Sequence, residues 1–115
     1  MDRISVAELA DWQSAARRFT LLDVRRESVR LASGADLGGA QWRDPEQLFS
    51  WKDLIARDRP AIVYCAQGHE ISQGIAATLR ALGLDARYLI DGFVGWRAAG
   101  GATVEHAQAG SRDCR

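Results

Sequence analysis

The sequence predicts an α/β domain: a central parallel sheet of about four or five strands with helices on both faces. Three observations carry that prediction. Apolar, β-branched runs alternate with stretches of helical spacing, the order expected when each strand returns by a helical crossover. The run Ala61-Ile62-Val63-Tyr64 has few polar side chains, as a strand buried on both faces of a parallel sheet requires. The chain has 115 residues, 47% hydrophobic and 26% charged, which suits one packed domain.

The elements follow in order. Ser5-Val6-Ala7-Glu8 has the form of a capping box, and Leu9, Trp12, Ala15 and Ala16 continue it at helical spacing. Phe19 to Val24 reads as a strand, and Glu27 to Ala32 as a short helix ended near Gly34. Ala40-Gln41-Trp42 fits a short parallel strand. Asp44-Pro45-Glu46-Gln47 starts a helix, with Asp44 as N-cap and Pro45 at the first helical position. Leu48, Trp51, Leu54 and Ile55 then form its apolar stripe. The strand Ala61 to Tyr64 leads to a helix from Ile71 to Leu82. That helix carries Ile75, Leu79 and Leu82 on one face, and Gly83 ends it. Ala86 to Ile90 is a further strand, Asp91-Gly92 a turn, and Phe93 to Ala99 a last helix ending at Gly100. Trp12, Trp42, Trp51 and Trp96 read as packing residues. No internal repeat or domain boundary interrupts the pattern. Residues 1–105 form one domain, and 106–115 read as a flexible C-terminal tail.

Composition narrows the function. Fifteen basic residues balance fifteen acidic ones, so a nucleic-acid partner held by a broad basic field is not expected. The two cysteines, Cys65 and Cys114, and the two histidines lie too far apart for a spaced zinc motif, and no metal is expected. The N-terminal residues lack a signal-peptide core, and no run reaches membrane-spanning length. A reducing cytoplasm, without membrane attachment, is therefore the expected compartment, and it suits a free thiol.

The chemistry centres on Cys65. It ends an apolar strand and is followed by the polar, Gly-containing loop Ala66-Gln67-Gly68-His69-Glu70-Ile71 and then a helix. A strand–loop–helix of this form places a thiol beside converging backbone N–H groups and a helix N-terminus. Both favour thiolate and make the sulfur nucleophilic. The alternative is a buried core cysteine, which strands often carry.

Three motifs in order, Leu22-Asp23-Val24-Arg25, Val63-Tyr64-Cys65-Ala66-Gln67-Gly68, and Leu89-Ile90-Asp91-Gly92-Phe93 with Trp96, resemble the rhodanese-like domain family. The likeness runs from about Phe19 to Gly100. Tyr64-Cys65 through Glu70, with Trp42-Arg43-Asp44-Pro45 upstream, is similar to small single-domain bacterial members. The resemblance implies a rhodanese-like sheet and sulfur transfer without a cofactor. Cys65 would attack the outer sulfur of thiosulfate or a related anionic donor and carry it as a persulfide. It would then pass the sulfur to a thiol or cyanide. Backbone amides of Ala66 through Ile71 would cradle the anion. No protein partner is indicated.

The loop departs from the family pattern. Five places after the cysteine, where Arg, Ser or Thr is usual, stands Glu70; its carboxylate is expected to point outward near the helix N-terminus. Ala76 and Ala77 fall later than the family's paired alanines, as in a loop one residue longer, with room for a larger anion. Cell-cycle phosphatases and some arsenate reductases of this superfamily have such loops, but the phosphatases end theirs on an Arg that clamps phosphate, and here Ile71 stands there. Sulfur transfer therefore leads. An oxyanion-handling enzyme (arsenate, chromate or phosphate) and a non-catalytic binding or sensing module are the alternatives. His69 could hold the anion or relay a proton. Gly68 would shape the loop, and Gln67 could bond donor oxygens. The resemblance gives Asp23 and Arg25 a supporting role by ion pairing. Arg43 could bring positive charge to the pocket mouth or pair with Asp44 or Glu46. Cys114 could resolve an oxidised Cys65 or accept its sulfur.

Overall fold

The computed structural model describes residues 2–106. Five parallel strands form the central sheet: β1 (Arg3–Ile4), β2 (Thr20–Asp23), β4 (Gln41–Trp42), β5 (Ala61–Tyr64) and β6 (Ala86–Leu89). They lie in the order β1-β6-β5-β2-β4. In register, Thr20 to Asp23 stand beside Ala61 to Tyr64, and Ala61 to Val63 beside Ala86 to Tyr88.

Alternation along the strands divides the core into two layers. Leu22, Val63 and Cys65 pack on one face with Trp51, Ile55, Ile75, Ala76 and Leu79. Leu21, Ile62 and Tyr64 pack on the other with Leu9, Phe93 and Trp96. The first face is covered by α3 (Leu48–Trp51) and α4 (Glu70–Ala81), the second by α1 (Val6–Ser14) and α5 (Gly92–Ala98). The capping box at the start of α1 is formed in both directions, between Ser5 and Glu8.

Several local expectations change. The helix begun at Asp44 is broken: a 3-10 turn (Pro45–Gln47), the single turn α3, then a second 3-10 turn (Lys52–Leu54). A 3-10 turn has three residues, not 3.6, so the apolar stripe drifts. Trp51 and Ile55 stay buried while Leu54 is 70% exposed. Leu82 lies past the last turn of α4 and is exposed, and Leu84 takes its place in the core. Strands β1, β3 (Ala35–Leu37) and β7 (Thr103–Glu105) are too short to give a periodic signal in the sequence. β3 and β7 form a separate antiparallel pair. His106, where the tail was expected to begin, is instead buried. Its backbone N–H donates to Gly34 O, and its Nε2 stands 2.8 Å from Asp36 Oδ1. Cys114 lies outside the described residues.

Candidate functional site

Cys65 follows the last residue of β5, at the carboxyl end of the sheet, where ligands of parallel α/β folds bind. The next four residues carry the chain into α4, whose N-terminal turn begins at Glu70 with His69 as N-cap. A pocket of about 520 Å³ opens there. Cys65, Ala66, Gln67, His69, Glu70 and Ile71 line it from the loop, with Arg25, Arg26 and Val29 opposite.

The loop's orientation is set from below. The turn Asp91-Gly92 has left-handed backbone at both residues, with φ of 64° and 56°. It brings the first turn of α5 against the loop, so that Phe93 N–H donates to Cys65 O and Val94 N–H to Ala66 O, each at 2.9 Å. A trans peptide holds its N–H opposite its C=O. The N–H groups of Ala66 and Gln67 therefore point away from α5. Gln73 Nε2 donates to Gly68 O at 2.8 Å, which orients the Gly68–His69 peptide. Among the described residues, none of the N–H groups from Ala66 to Ile71 has a hydrogen-bond partner. Free donors at the N-terminus of a 12-residue helix offer both the dipole and the hydrogen bonding that stabilise an anion.

Cys65 is 6% exposed, and its sulfur bonds to a hydroxyl: Cys65 Sγ lies 3.2 Å from Ser72 Oγ. Ser72 is fully buried. The thiol donates to it, and if the sulfur ionises the hydroxyl can rotate and donate back. Cys65 thus packs in the core and also faces the pocket. Ser72 was not singled out in the sequence. The signal was there: Ser72 shares one helix face with Ile75, Ala76 and Leu79, so its hydroxyl had to point inward.

Asp23 and Arg25 do pair beneath the pocket. Arg25 Nε donates to Asp23 Oδ1 at 2.9 Å and Nη2 to Oδ2 at 2.6 Å, with both side chains 1% exposed. Ser33 Oγ, Ala35 O and Asp36 Oδ1 accept the other guanidinium bonds. Burial opposes the Arg25 charge, but the Asp23 bond and the charges of Asp23 and Asp36 outweigh it and raise its pKa. Burial pushes the Tyr64 hydroxyl up, helped by the Asp23 charge, so Tyr64 stays neutral. It accepts from Leu37 N–H at 3.3 Å. Arg25 is a saturated buried cation: it forms the pocket wall and has few donors left for a ligand.

Arg43 does not line the pocket, nor does it pair with Asp44 or Glu46. Its Nη2 donates to Gln41 Oε1, and its buried Nε has no partner among the described residues. The exposed cation at the mouth is Arg26, which no sequence motif marks. Side chains alternate along extended backbone, so with Arg25 turned inward Arg26 turns to the rim. The Trp42 indole donates to Arg25 O at 2.8 Å and holds this segment in place. Glu70 is exposed, as expected, yet it also borders the pocket. Gln67 and His69 are exposed at the mouth, while Gly68 is buried under the loop and lines nothing.

The rhodanese-like domain model matches residues 5–99. The "Probable adenylyltransferase/sulfurtransferase MoeZ" of Mycobacterium tuberculosis is 33% identical over 95 residues, 81% of this chain. The chain spans only 24% of that relative's length. Among solved structures, a rhodanese-related protein of Thermoplasma volcanium superposes with a TM-score of 0.79 at 24% identity, covering 90% of this chain and 98% of that one. A Rhodopseudomonas palustris protein described as a possible tyrosine phosphatase gives 0.80 at 23%, covering 90% and 85%. At such identities the likeness shows the shared fold alone.

Proposed function

Since the chain belongs to the rhodanese-like domain family, we propose that it is a sulfurtransferase whose Cys65 carries sulfane sulfur as a persulfide. The observation that carries this reading is the pocket that brings Cys65 together with Ala66, Gln67, His69, Glu70 and Ile71, whose backbone N–H groups have no partner among the described residues. With thiosulfate, the Cys65 thiolate attacks the outer sulfur. The S–S bond breaks and sulfite leaves with the electron pair. The amides of the loop and the α4 dipole stabilise first the anionic donor and then the terminal sulfur of the persulfide. Ser72 holds the inner sulfur in place. An acceptor thiolate or cyanide next attacks the terminal sulfur and returns Cys65 as thiolate, a two-step transfer that needs no cofactor. Arg26 and His69 stand at the rim where the anion enters, opposed by Glu70.

Phosphate chemistry is less well supported. Ile71, at the end of the loop, packs partly buried against the core, and no guanidinium rises from the loop to clamp three oxygens. A cytoplasmic setting belongs to this reading, because the mechanism needs a reduced Cys65. No helix among the described residues is long and apolar enough to cross a membrane.

The test is intact-protein mass spectrometry after brief exposure to thiosulfate, with Cys65→Ser and Cys114→Ser alongside. The expected result is a gain of one sulfur atom that needs Cys65, persists without Cys114 and is removed by cyanide. A folded protein with a free Cys65 thiol that gains no sulfur from thiosulfate or from other sulfane donors would sink the proposal and favour the binding-module alternative.

A further inference from the structure

The pocket over Cys65 does not close at the cradle. A second cavity of about 390 Å³ adjoins it, and the two share Arg25, Val29 and Ala66 as walls. The second lies between α2 (Glu27–Ser33) and α5, where Ser33, Phe93, Val94, Arg97 and Ala98 complete its lining. Val29 is 41% and Val94 54% exposed, so each of the two bounding helices offers the cavity an unpacked aliphatic side chain. The Arg97 guanidinium stands 5.2 Å from the centroid of the Phe93 ring and makes no ion pair among the described residues. The combined space thus has an anion-binding end at Cys65, an apolar middle and a free cation at the far side.

Thiosulfate has no apolar part and uses only the first of these. We infer that the site takes an organic sulfane-sulfur donor, anionic at the sulfur, apolar in the body and carboxylate-bearing at its far end. Its sulfur would lie at Cys65, its body between α2 and α5, and its carboxylate at Arg97. This rests on the sulfur-transfer reading. The step balances without an added oxidant or reductant. Cys65 thiolate bonds to the outer sulfur, the donor's S–S bond breaks, and the electron pair leaves on the organic fragment, as a sulfinate from a thiosulfonate or a thiolate from a persulfide. Charge complementarity selects the carboxylate, and continuity of the two cavities sets where the body lies.

The experiment measures persulfide loading of the full chain by methanethiosulfonate, benzenethiosulfonate and 4-carboxybenzenethiosulfonate. Each rate is divided by that donor's rate with a free small-molecule thiol, to remove intrinsic reactivity. Burial of the ring predicts an aryl-over-methyl preference on the order of tenfold. The carboxylate adds roughly threefold more, an increment lost in Arg97→Gln and reduced by salt. In Val94→Asp, and independently in Val29→Asp, the aryl preference falls toward one. Normal loading by methanethiosulfonate with no aryl preference would overturn this inference and leave sulfur transfer standing. So would a preference untouched by both valine variants. Failure of all three donors while thiosulfate still loads Cys65 would likewise overturn this inference alone, and failure of thiosulfate as well would remove the sulfur-transfer reading itself.

Discussion

Replacing Gly68 by alanine tests whether the turn beneath the cradle sets its shape. Gly68 has φ +74°, and a Cβ there would stand 2.6 Å from Asp91 N, 2.8 Å from Leu89 O and 3.0 Å from Gly92 N. All three are backbone atoms of the segment entering α5, so none can rotate aside. Left-handed backbone costs an L residue about 1–2 kcal/mol. Overpacking against a fixed neighbour costs about 1–3 kcal/mol more. The stiffer unfolded chain returns about 0.4–1 kcal/mol. The net loss expected is about 1–4.5 kcal/mol, below the roughly 5–15 kcal/mol of an ordinary domain, so the variant still folds. The loop relieves the clash by moving, and donors displaced by about 1 Å cost on the order of a hundredfold in rate. Gly74→Ala is the matched control. Gly74 is inside α4 with nothing within 4 Å of its Cβ position, so alanine should stabilise by about 0.5–1 kcal/mol and leave loading alone. Urea midpoints at constant slope give the stabilities, and quenched mass spectrometry gives persulfide loading. Wild-type stability together with wild-type loading in Gly68→Ala would refute the reasoning.

Ser72→Ala removes the hydroxyl bonded to Cys65 Sγ. A hydrogen bond to a charged group is worth about 1.5–3 kcal/mol, so iodoacetamide alkylation of Cys65 at neutral pH should slow by about tenfold or more. An unchanged rate would show that Ser72 only fills space. At the rim, Arg26→Gln should slow thiosulfate loading and Glu70→Gln should speed it, each by roughly threefold at low salt. Both effects should fade as the Debye length shrinks from about 30 Å at 0.01 M to about 3 Å at 1 M. Equal rates for the two variants at low salt would mean that the rim charges do not steer the donor. Asp36 gives a pH dependence. Burial raises its pKa, but the Arg30 and His106 bonds outweigh that and hold it below its ordinary 3.8. A depressed carboxylate adds stability above its unfolded pKa and loses it as pH falls through the folded value. Urea midpoints should therefore drop on acidification below about pH 4. In Asp36→Asn that drop should be shallower, and an identical acid profile would contradict the assignment.

Local chemistry wrote much of this protein into its sequence. Ser5 and Glu8 specify a capping box through three-residue spacing, and Asp44 and Pro45 a helix start through side-chain bonding and a fixed φ. The β-branched run before Cys65 specifies a buried strand, and the motifs around Asp23, Cys65 and Gly92 specify the family. These signals lie within a few residues of one another, so no knowledge of the fold is needed to read them. What depended on contacts between distant segments could not be read this way. The two- and three-residue strands β1, β3 and β7 exist only because Arg3 finds Tyr88 and Ala35 finds Glu105. His106 is anchored by an aspartate 70 positions away. That Arg26 and not Arg43 supplies the rim cation depends on how β2 and β4 end relative to the loop. That the loop's donors face the pocket depends on α5, whose first amides occupy the carbonyls of Cys65 and Ala66. Sequence pointed to Cys65 as the proposed nucleophile because a cysteine's chemistry travels with the residue. Tertiary structure decided its surroundings, because the direction of a backbone dipole is set by whatever packs against it.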